Sequence, residues 1–151
     1  MNDPRLPEDL TLLLREHDFG VLATAGDAGP HASLISISFA ADYSYLVFPT
    51  LRSTRKYANL LGNRRVSVLL DNRSRCKKPD NCYALTLSGP AESLEAAERS
   101  EFEIQFLAVH PHMREFLLLP DTAFIKVTIQ KVQFVEGVQK IREFIVTSES
   151  R

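Results

Sequence analysis

Short stretches of alternating apolar and polar residues recur along the chain, and this period of two is typical of β-strands with one buried face. In one of them, Val66, Val68 and Leu70 fall on the same face of the predicted strand. The pattern therefore predicts a mainly β protein. The stretches predicted as strands are 19–24, 31–40, 45–48, 65–71, 83–94 and 123–136.

Apolar residues spaced three or four positions apart predict helices before, between and after some of these strands. Leu10, Leu13 and Leu14 form such a face near the N-terminus, and Phe102 and Phe106 belong to another. The helices are expected to lie at the periphery of the sheet, since the strands account for most of the apolar positions. The predicted helices cover 4–17, 54–61, 95–109 and 112–118, and 140–146 is predicted as a tail strand or helix.

Two irregularities within the predicted strands indicate a curved sheet. Gly89 and Pro90 interrupt the fifth predicted strand, which indicates a bend or bulge. In the last predicted strand, the apolar parity changes between Ile129 and Val132, which is typical of a β-bulge. Short connections between strands favour antiparallel pairing. We therefore predict a single domain over residues 1–151, a six-stranded antiparallel split β-barrel with peripheral helices.

The composition is that of an ordinary globular domain, and it limits the classes of partner. The chain has 151 residues, of which 44% are hydrophobic and 25% charged, and its net charge is −1. Such a charge provides no general attraction for nucleic acid or an anionic membrane, so neither is an expected partner. No apolar run approaches the roughly 20 residues that span a bilayer, and the N-terminus lacks a signal-peptide pattern. We therefore expect a cytoplasmic protein.

Two cysteines, Cys76 and Cys82, lie in one polar loop between the fourth and fifth predicted strands. A cytoplasmic setting favours free thiols, whereas an oxidising compartment would allow a small disulfide loop. A zinc site that combines both cysteines with His110 and His112 is a further alternative, although the cysteines are farther apart than the usual ligands of structural zinc. The lysines and arginines around Cys76 also favour a reactive thiol.

The turn between the third predicted strand and the following helix carries the clearest candidate chemistry. Thr50 and Thr54 bracket this polar turn, and Arg55 and Lys56 begin the helix. A helix N-terminus has unpaired backbone N–H groups and partial positive charge, so cations in its first turn act against the helix dipole. Hydroxyls and cations at such a position suit an anion, most naturally a phosphate. The alternative is a solvated helix start that Thr54 caps.

Serines occur on both faces of the second predicted strand, at Ser33, Ser36 and Ser38. One interpretation is a strand with a hydrated face, which is common in antiparallel sheets. The other is a flat surface on which a planar ligand lies close to the backbone. The sequence leaves both interpretations open.

Several segments, taken in order, resemble the FMN-binding split-barrel family, which includes pyridoxamine 5′-phosphate oxidase. The signature Thr-x-x-x-Thr-Arg-Lys, at Thr50–Lys56, lies between the third and fourth predicted strands. The resemblance covers residues 19–136, which is most of the chain. Its matched segments are Gly20–Thr24, Gly29–Pro30, Leu46–Thr50, Thr54–Leu60 and Val66–Leu70.

The resemblance implies a flavoprotein in which FMN lies at the interface of a homodimer. It implies an oxidoreductase that acts on an unknown small molecule, with FMN supplying the redox chemistry. Residues of the second subunit would close the ring pocket, with Val138 and Gln139 as candidates. Carried over by position, the residues that hold the phosphate are Thr50, Thr54, Arg55 and Lys56, and those against the isoalloxazine ring are Ser33, Leu34, Ile35, Ser36, Phe48 and Pro49.

Two departures from the oxidase separate this chain from pyridoxamine phosphate oxidation. An arginine and a lysine on the oxidase's second strand correspond to Ser33 and Ser38 here. The C-terminal stretch 144–151 also lacks the oxidase's arginine-containing motif for the pyridoxal substrate. The substrate and the electron donor are therefore open, and no side chain stands out as catalytic.

Two other functions are open at the level of sequence. A non-catalytic carrier of the same fold would bind flavin, haem or the deazaflavin F420. Haem would need His110 or His112 as an axial ligand, and the acidic tail of F420 would need cations such as Arg52, Arg73 and Arg75. A small homodimeric barrel without a cofactor would use its basic turn only as a helix cap, and it would be colourless.

Overall fold

A computed structural model of the protein describes residues 6–146, which form a curled, mainly β structure with helices at its periphery. The strands are β1 (Phe19–Gly26), β2 (Gly29–Ser36), β3 (Ser38–Phe39), β4 (Tyr45–Leu51), β5 (Arg65–Asp71), β6 (Tyr83–Ser93), β7 (Thr122–Thr128), β8 (Lys131–Glu136) and β9 (Lys140–Ile145). The helices are α1 (Glu8–Arg15), α2 (Arg55–Gly62), α3 (Ala96–Val109) and α4 (Arg114–Leu118).

All strand pairs are antiparallel, and together they make one nine-stranded sheet. The strand order is β2-β1-β5-β6-β7-β4-β3, while β8 pairs with β6 and β9 pairs with β8. The predicted antiparallel split barrel with peripheral helices is confirmed. The predicted number of six strands is too low, because two predicted strands are each divided in the structure and the tail adds β9.

Strand β6 connects the two halves of the curled sheet. Its first part, Tyr83–Ser88, pairs with β8, and its last part, Ala91–Ser93, pairs with β7. The predicted bend at Gly89 and Pro90 lies where the strand passes from one partner to the other. A Cβ atom added to Gly89 would lie 1.7 Å from the carbonyl oxygen of Thr128, so only glycine fits this corner.

The predicted strands 31–40 and 123–136 are each broken in the structure, and this corrects both predictions. At the first break, the Ile37 N–H donates to the carbonyl of Asp18 at 2.9 Å, one step beyond the last β1–β2 pair, and Ser38 and Phe39 then pair with β4. At the second, Ile129 N–H donates to Ser44 O and Gln130 N–H to Ser88 O, both at 2.9 Å. The change of apolar parity thus marks the end of one strand and the start of another, because the chain moves between the two sheet halves there.

The main core fills the inside of the curled sheet. The predicted inward faces are confirmed at Val66, Val68 and Leu70, which are at most 4% exposed. Other fully buried members come from α1, β1, β4, β6, β7 and β8: Leu10, Leu14, Leu22, Phe48, Leu85, Leu87, Ile125, Val127 and Val132.

A smaller apolar cluster lies under α3 and α4, with Phe106 and Phe124 at its centre. The side chain of Arg99 joins these helices to the sheet, because it donates to the carbonyls of Leu117 at 2.9 Å and Thr122 at 2.7 Å. The predicted helix 112–118 begins later than expected, since a 3₁₀ turn (Pro111–Met113) precedes α4.

The predicted start of the first helix, residue 4, lies outside the described residues, and α1 begins at Glu8. No helix within residues 6–146 combines the length and the apolar character that a membrane crossing requires.

Cys76 and Cys82 are joined in a disulfide bond within the loop that connects β5 to β6. The expectation of free thiols is therefore wrong. The zinc alternative also loses its two thiolate ligands, because each sulfur is bonded to the other. Within residues 6–146, no group of three potential metal ligands comes together.

Candidate functional site

The end of β4 and the start of α2 bring together the hydroxyls predicted to hold a phosphate. The side chain of Thr50 is only 2% exposed, and its Oγ1 lies 3.2 Å from Oγ1 of Thr54. Thr54 Oγ1 donates its hydroxyl proton to the carbonyl of Leu51 at 2.7 Å, so it cannot donate the same proton to Thr50. Thr50 therefore donates to Thr54, and the two hydroxyls form a short chain at the helix start.

Thr54 occupies the N-cap position of α2, as predicted for the alternative of a capped helix. Its side chain, however, makes no hydrogen bond to the first helical N–H groups, and the first turn contains no acidic residue. The helix start therefore has backbone donors and partial positive charge without a side-chain acceptor.

The turn before α2 is held in place by Asp121. The Arg52 N–H donates to the Asp121 carbonyl at 2.8 Å, and the Ser53 N–H donates to its carboxylate at 3.3 Å. The Arg52 guanidinium donates to Pro120 O at 3.2 Å. These contacts fix the turn from one side and place a carboxylate next to Ser53, which leaves the side of Thr54 and Arg55 for an anion.

Arg55 and Lys56 differ in their exposure. The Arg55 side chain is exposed, whereas Lys56 is partly buried, and this burial lowers the pKa of its ammonium group from the ordinary 10.5. No ion pair to either cation occurs among the described residues. A partly buried cation without a counter-ion is unfavourable, so Lys56 is suited to an anionic ligand.

A groove of about 820 Å³ lies between α2 and the β1–β2 hairpin. Asn59, which the sequence analysis missed, donates through Nδ2 to Thr24 Oγ1 at 3.1 Å and so fastens the helix to β1. Asn59 follows Arg55 by four positions, and this i,i+4 spacing, visible in the sequence, places both residues on the same face of the helix. The groove is lined by Ala25, Gly26, Asp27, Ala28, Ser53, Thr54, Arg55, Ala58, Asn59, Gly62 and Asn63.

The predicted ring contacts on β2 fall on two faces of the strand. Ile35 is 3% exposed and faces the core, while Leu34 is 71% exposed and faces outward. Ser33 lies on the inner face, and its Oγ is a buried polar atom without a hydrogen-bond partner, the only such side-chain atom among residues 6–146. A planar ligand would therefore meet alternate residues of β2, or its backbone edge, and not all four side chains.

Phe48 and Pro49, the other predicted ring contacts, are both buried in β4. The Phe48 side chain is 0% exposed within the main core, so only the backbone of this segment is available to a ligand. Strands β2 and β4 nevertheless pack near each other, which brings the predicted ring and phosphate segments into one region.

His110 is not an open ligand for a metal. It is 2% exposed, its Nε2 lies 2.8 Å from the carbonyl oxygen of Ile37, and its ring stacks on Phe106. It thus ties the end of α3 to the corner between β2 and β3. His112, the other predicted haem ligand, is exposed in the 3₁₀ turn before α4.

His17 forms a polar contact at the opposite end of β1, where its Nε2 lies 2.8 Å from the hydroxyl of Tyr83. Burial, and secondly the charge of Arg75, lower the pKa of His17 from the ordinary 6.5. The unfolded chain therefore binds more protons at this site than the folded chain when the pH falls below about 6.5.

We expect His17→Gln to reduce the acid sensitivity of the fold. In the wild type, stability is lost as the pH falls from about 6.5 through the lowered pKa, because protonation favours the unfolded chain. The free energy of unfolding in urea, measured at about pH 7 and about pH 5, should fall less for His17→Gln than for the wild type. His112→Gln is the control, and an equal pH dependence in all three proteins would show that His17 makes no contribution.

A family model described as pyridoxamine 5′-phosphate oxidase matches residues 6–136 of the chain. No match is found among curated proteins.

Several solved structures share the fold. A heme binding protein from Mycobacterium smegmatis has a TM-score of 0.77 and 21% identity, and the match covers 87% of this chain and 54% of that one. A FAD-binding protein from Mesorhizobium loti has a TM-score of 0.67 and 19% identity, over 83% and 89% of the two chains. HutZ, the heme storage protein from Vibrio cholerae, has a TM-score of 0.67 and 17% identity, over 91% and 94%.

At these identities the structural matches show a shared fold, and the chain spans only about half the length of the mycobacterial protein. The family model is more specific, because its range runs from before α1 to the end of β8 and contains both the basic turn and strand β2. The chain therefore belongs to the pyridoxamine 5′-phosphate oxidase family.

Proposed function

We propose that this protein binds FMN at the start of α2 and works as a flavin-dependent oxidoreductase on a small molecule. The observation that carries the proposal is Lys56, a partly buried cation that has no carboxylate partner within residues 6–146. Its place in the first turn of α2, beside Arg55 and the hydroxyls of Thr50 and Thr54, gives an anion several donors at once.

The charge of a flavin phosphate matches this group of residues. A phosphate dianion would be balanced by the two cations and by the helix N-terminus, and it would compensate the burial of Lys56. The uncommitted backbone N–H groups of the first turn would donate to its oxygens. A structural cap would leave the same cations without a counter-ion, which is the reason we prefer a ligand.

The unpartnered hydroxyl of Ser33 supports a polar ligand beside β2. A buried hydroxyl without a hydrogen bond costs roughly 1–3 kcal/mol, so a ligand that supplies a partner gains from it. The flavin ring carries carbonyl oxygens and ring nitrogens along one edge, and these suit a hydroxyl group. Ser33, with the backbone of β2 and of residues 48–49, would then orient the ring.

The homodimer belongs to the same proposal. Leu34 on the edge strand β2 is 71% exposed, and Ile141 and Ile145 on β9 are 62% and 68% exposed. These residues and Val21 point to the outer side of the sheet, away from the core. Exposed apolar side chains on the outer face of a sheet favour a second protein surface, and a second copy of the chain would shield a bound flavin from water.

We expect Leu34→Asp to weaken the dimer by at least tenfold, because it places a charge within a desolvated apolar interface. Analytical ultracentrifugation over a range of concentrations measures the dissociation. Leu118→Asp is a matched control, since Leu118 is 77% exposed on α4, away from the sheet face. Equal effects of the two substitutions would count against β2 as an interface.

Bound FMN supplies hydride and single-electron transfer, and the chain's own residues supply position and exclusion of water. Thr54, Arg55 and Lys56 would fix the phosphate end, and Ser33 would fix the ring end. The nearby carboxylates, Asp27 in the groove and Asp121 beside Ser53, have no catalytic role in this proposal. The proposed oxidoreductase therefore depends on how the protein presents the ring.

A haem carrier is a second candidate, because two structural neighbours are described as binding or storing haem. The buried bond of His110 to Ile37 O removes the better of its two predicted axial ligands. The F420 alternative is less favoured, because Arg52 donates to Pro120 O, while Arg73 and Arg75 line a different depression from the groove beside α2.

The visible spectrum of the purified protein, recorded before and after addition of FMN, tests the proposal. We expect flavin bands that sharpen and shift on binding, and reduction of the bound flavin by a nicotinamide cofactor or by reduced F420. A Soret band after addition of haem, together with no binding of FMN, would favour the carrier. Absence of binding to FMN and to haem would leave the basic turn as a structural cap.

The pH dependence of FMN binding provides a further prediction. Burial lowers the pKa of Lys56 in the free protein, whereas a bound phosphate favours the protonated ammonium group. At a pH where Lys56 is neutral in the free protein, binding of FMN therefore takes up a proton. Affinity should therefore fall as the pH rises through the lowered pKa toward 10.5. Fluorescence titrations of FMN measure it. Lys56→Arg, which stays charged, should show a smaller fall, and equal falls in both proteins would exclude Lys56 as the cause.

A further inference from the structure

The disulfide loop between β5 and β6 lies apart from the proposed flavin site. The bond joins residues six positions apart in the sequence, Cys76 and Cys82, and both are only partly buried. We propose that this pair is a reversible thiol–disulfide exchange site that reacts with anionic low-molecular-weight thiols.

The charge of the loop favours this class of partner. Arg75 and Lys77 directly flank Cys76, and Lys78 lies within the same ring, where Asp80 is the single acidic residue. Cations next to a sulfur stabilise its thiolate form, and they attract a small thiol that carries carboxylates. Arg75 keeps this position because its guanidinium pairs with Glu16 at 3.0 Å.

The two sulfurs have different surroundings, and this sets the direction of attack. The carbonyl oxygen of Lys78 lies 3.3 Å from Sγ of Cys82, so a negative charge on this sulfur would be repelled. A thiolate on Cys76 lies between two cationic residues instead. Cys76 is therefore the better leaving group, and Cys82 is the sulfur that is attacked.

The exchange balances as a transfer of two electrons. A small thiolate forms a bond to Sγ of Cys82, the Cys76–Cys82 bond breaks, and the electron pair leaves on Sγ of Cys76. A second small thiolate attacks the small-molecule sulfur of this mixed disulfide and releases Cys82. Two small thiols are oxidised to their disulfide and the protein disulfide is reduced. Of the two protons that they lose, one goes to Cys82 and the other to solvent.

The loop has other contacts that would hold its shape without the disulfide. Asn72 accepts a hydrogen bond from the Tyr83 N–H at 2.8 Å and donates to Asn81 O at 3.1 Å. The Gly137 N–H donates to the carbonyl of Cys82 at 2.9 Å. The main core lies inside the sheet and contains no cysteine. Reduction would therefore open the ring and leave the barrel folded, which a reversible site requires.

The test uses the whole chain and the glutathione couple as the probe. At about pH 7, an excess of reduced glutathione should convert the wild type to the dithiol, and oxidised glutathione should restore the disulfide, as intact mass reports. Near-ultraviolet circular dichroism should keep its folded signal throughout. Resistance of the bond to reduction, or loss of the folded signal on reduction, would make it a structural cross-link and overturn the proposal.

Single-cysteine variants test the asymmetry separately. Cys82→Ser leaves Cys76 as the only thiol of the pair, and Cys76→Ser leaves Cys82. At about pH 7, the alkylation rate of Cys76 should be at least about three times that of Cys82. Lys77→Gln combined with Lys78→Gln should reduce that difference. Equal rates at the two cysteines, or no effect of the lysine substitutions, would refute the assigned roles of the two sulfurs.

Discussion

Replacing Arg55 and Lys56 together by alanine is expected to weaken FMN binding by roughly 100-fold or more. Each cation is proposed to make a charge-assisted hydrogen bond to the phosphate, and such bonds contribute about 1.5–3 kcal/mol. Lys56 should account for the larger share, because it is partly buried while Arg55 is exposed and competes with water. Isothermal titration or quenching of FMN fluorescence measures the change.

Two controls separate the phosphate contact from a general effect of charge or folding. Riboflavin has the same ring without a phosphate, so its affinity should be nearly the same in the wild type and the double variant. Lys77→Ala with Lys78→Ala removes the same charge from exposed positions at the other end of β5, and it should leave FMN affinity within about twofold. An unchanged FMN affinity in the Arg55/Lys56 variant, or an equal loss for riboflavin, would remove the phosphate site from the proposal.

The local pattern predicted the elements whose apolar faces are regular. The strand over residues 65–71 has the bounds of β5, and its inward side chains are the predicted ones. The helix start at Arg55 was also predicted, because Thr54 and the change of period mark it. These features are determined by residues that are close in the sequence, so they can be predicted from one sequence alone.

The features that the sequence did not predict depend on long-range pairing. Strand β2 ends at Ser36 because the chain then changes its partner from β1 to β4, and this change cannot be inferred from the strand's own residues. The division of 123–136 has the same origin, since Gln130 bonds to Ser88. The disulfide was given only as the alternative to free thiols, because the expected cytoplasmic setting outweighed the proximity that the loop imposes on Cys76 and Cys82.

The candidate site also combines local features, which were predicted, with long-range features, which were not. The basic turn is local and was found from residue types, whereas the groove beside it requires α2 to pack on the β1–β2 hairpin. Asn59 and Gly26 carry that packing: a Cβ on Gly26 would lie 2.1 Å from Oδ1 of Asn59. Side chains alternate along β2, so two of its predicted ring contacts face inward and two face outward. The prediction, made by sequence position alone, did not separate the two pairs.

Gly89→Ala is expected to destabilise the protein by roughly 2–4 kcal/mol, with a fall in Tm of about 10 °C. The new methyl group would lie 1.7 Å from the Thr128 carbonyl oxygen and 3.3 Å from the Gln130 nitrogen. Both are backbone atoms, so no side chain can rotate away to make room. The two sheet halves that meet at this corner must separate, which weakens the pairing of β6 with both β7 and β8. Urea unfolding and thermal scans measure the loss.

Gly62→Ala separates this steric effect from the general effect of replacing a glycine. Gly62 is the last residue of α2, and apart from its chain neighbours and its own helix backbone no atom lies within 4 Å of the position that its Cβ would take. Alanine favours a helix over glycine by up to about 1 kcal/mol, so this variant should be as stable as the wild type or slightly more stable. A small loss at Gly89, similar to the change at Gly62, would mean that the corner is loose. A large loss at Gly89 alone would show that the close approach of β6 to Thr128 holds the curled sheet in its present shape, and with it the relative positions of β2, β4 and the start of α2.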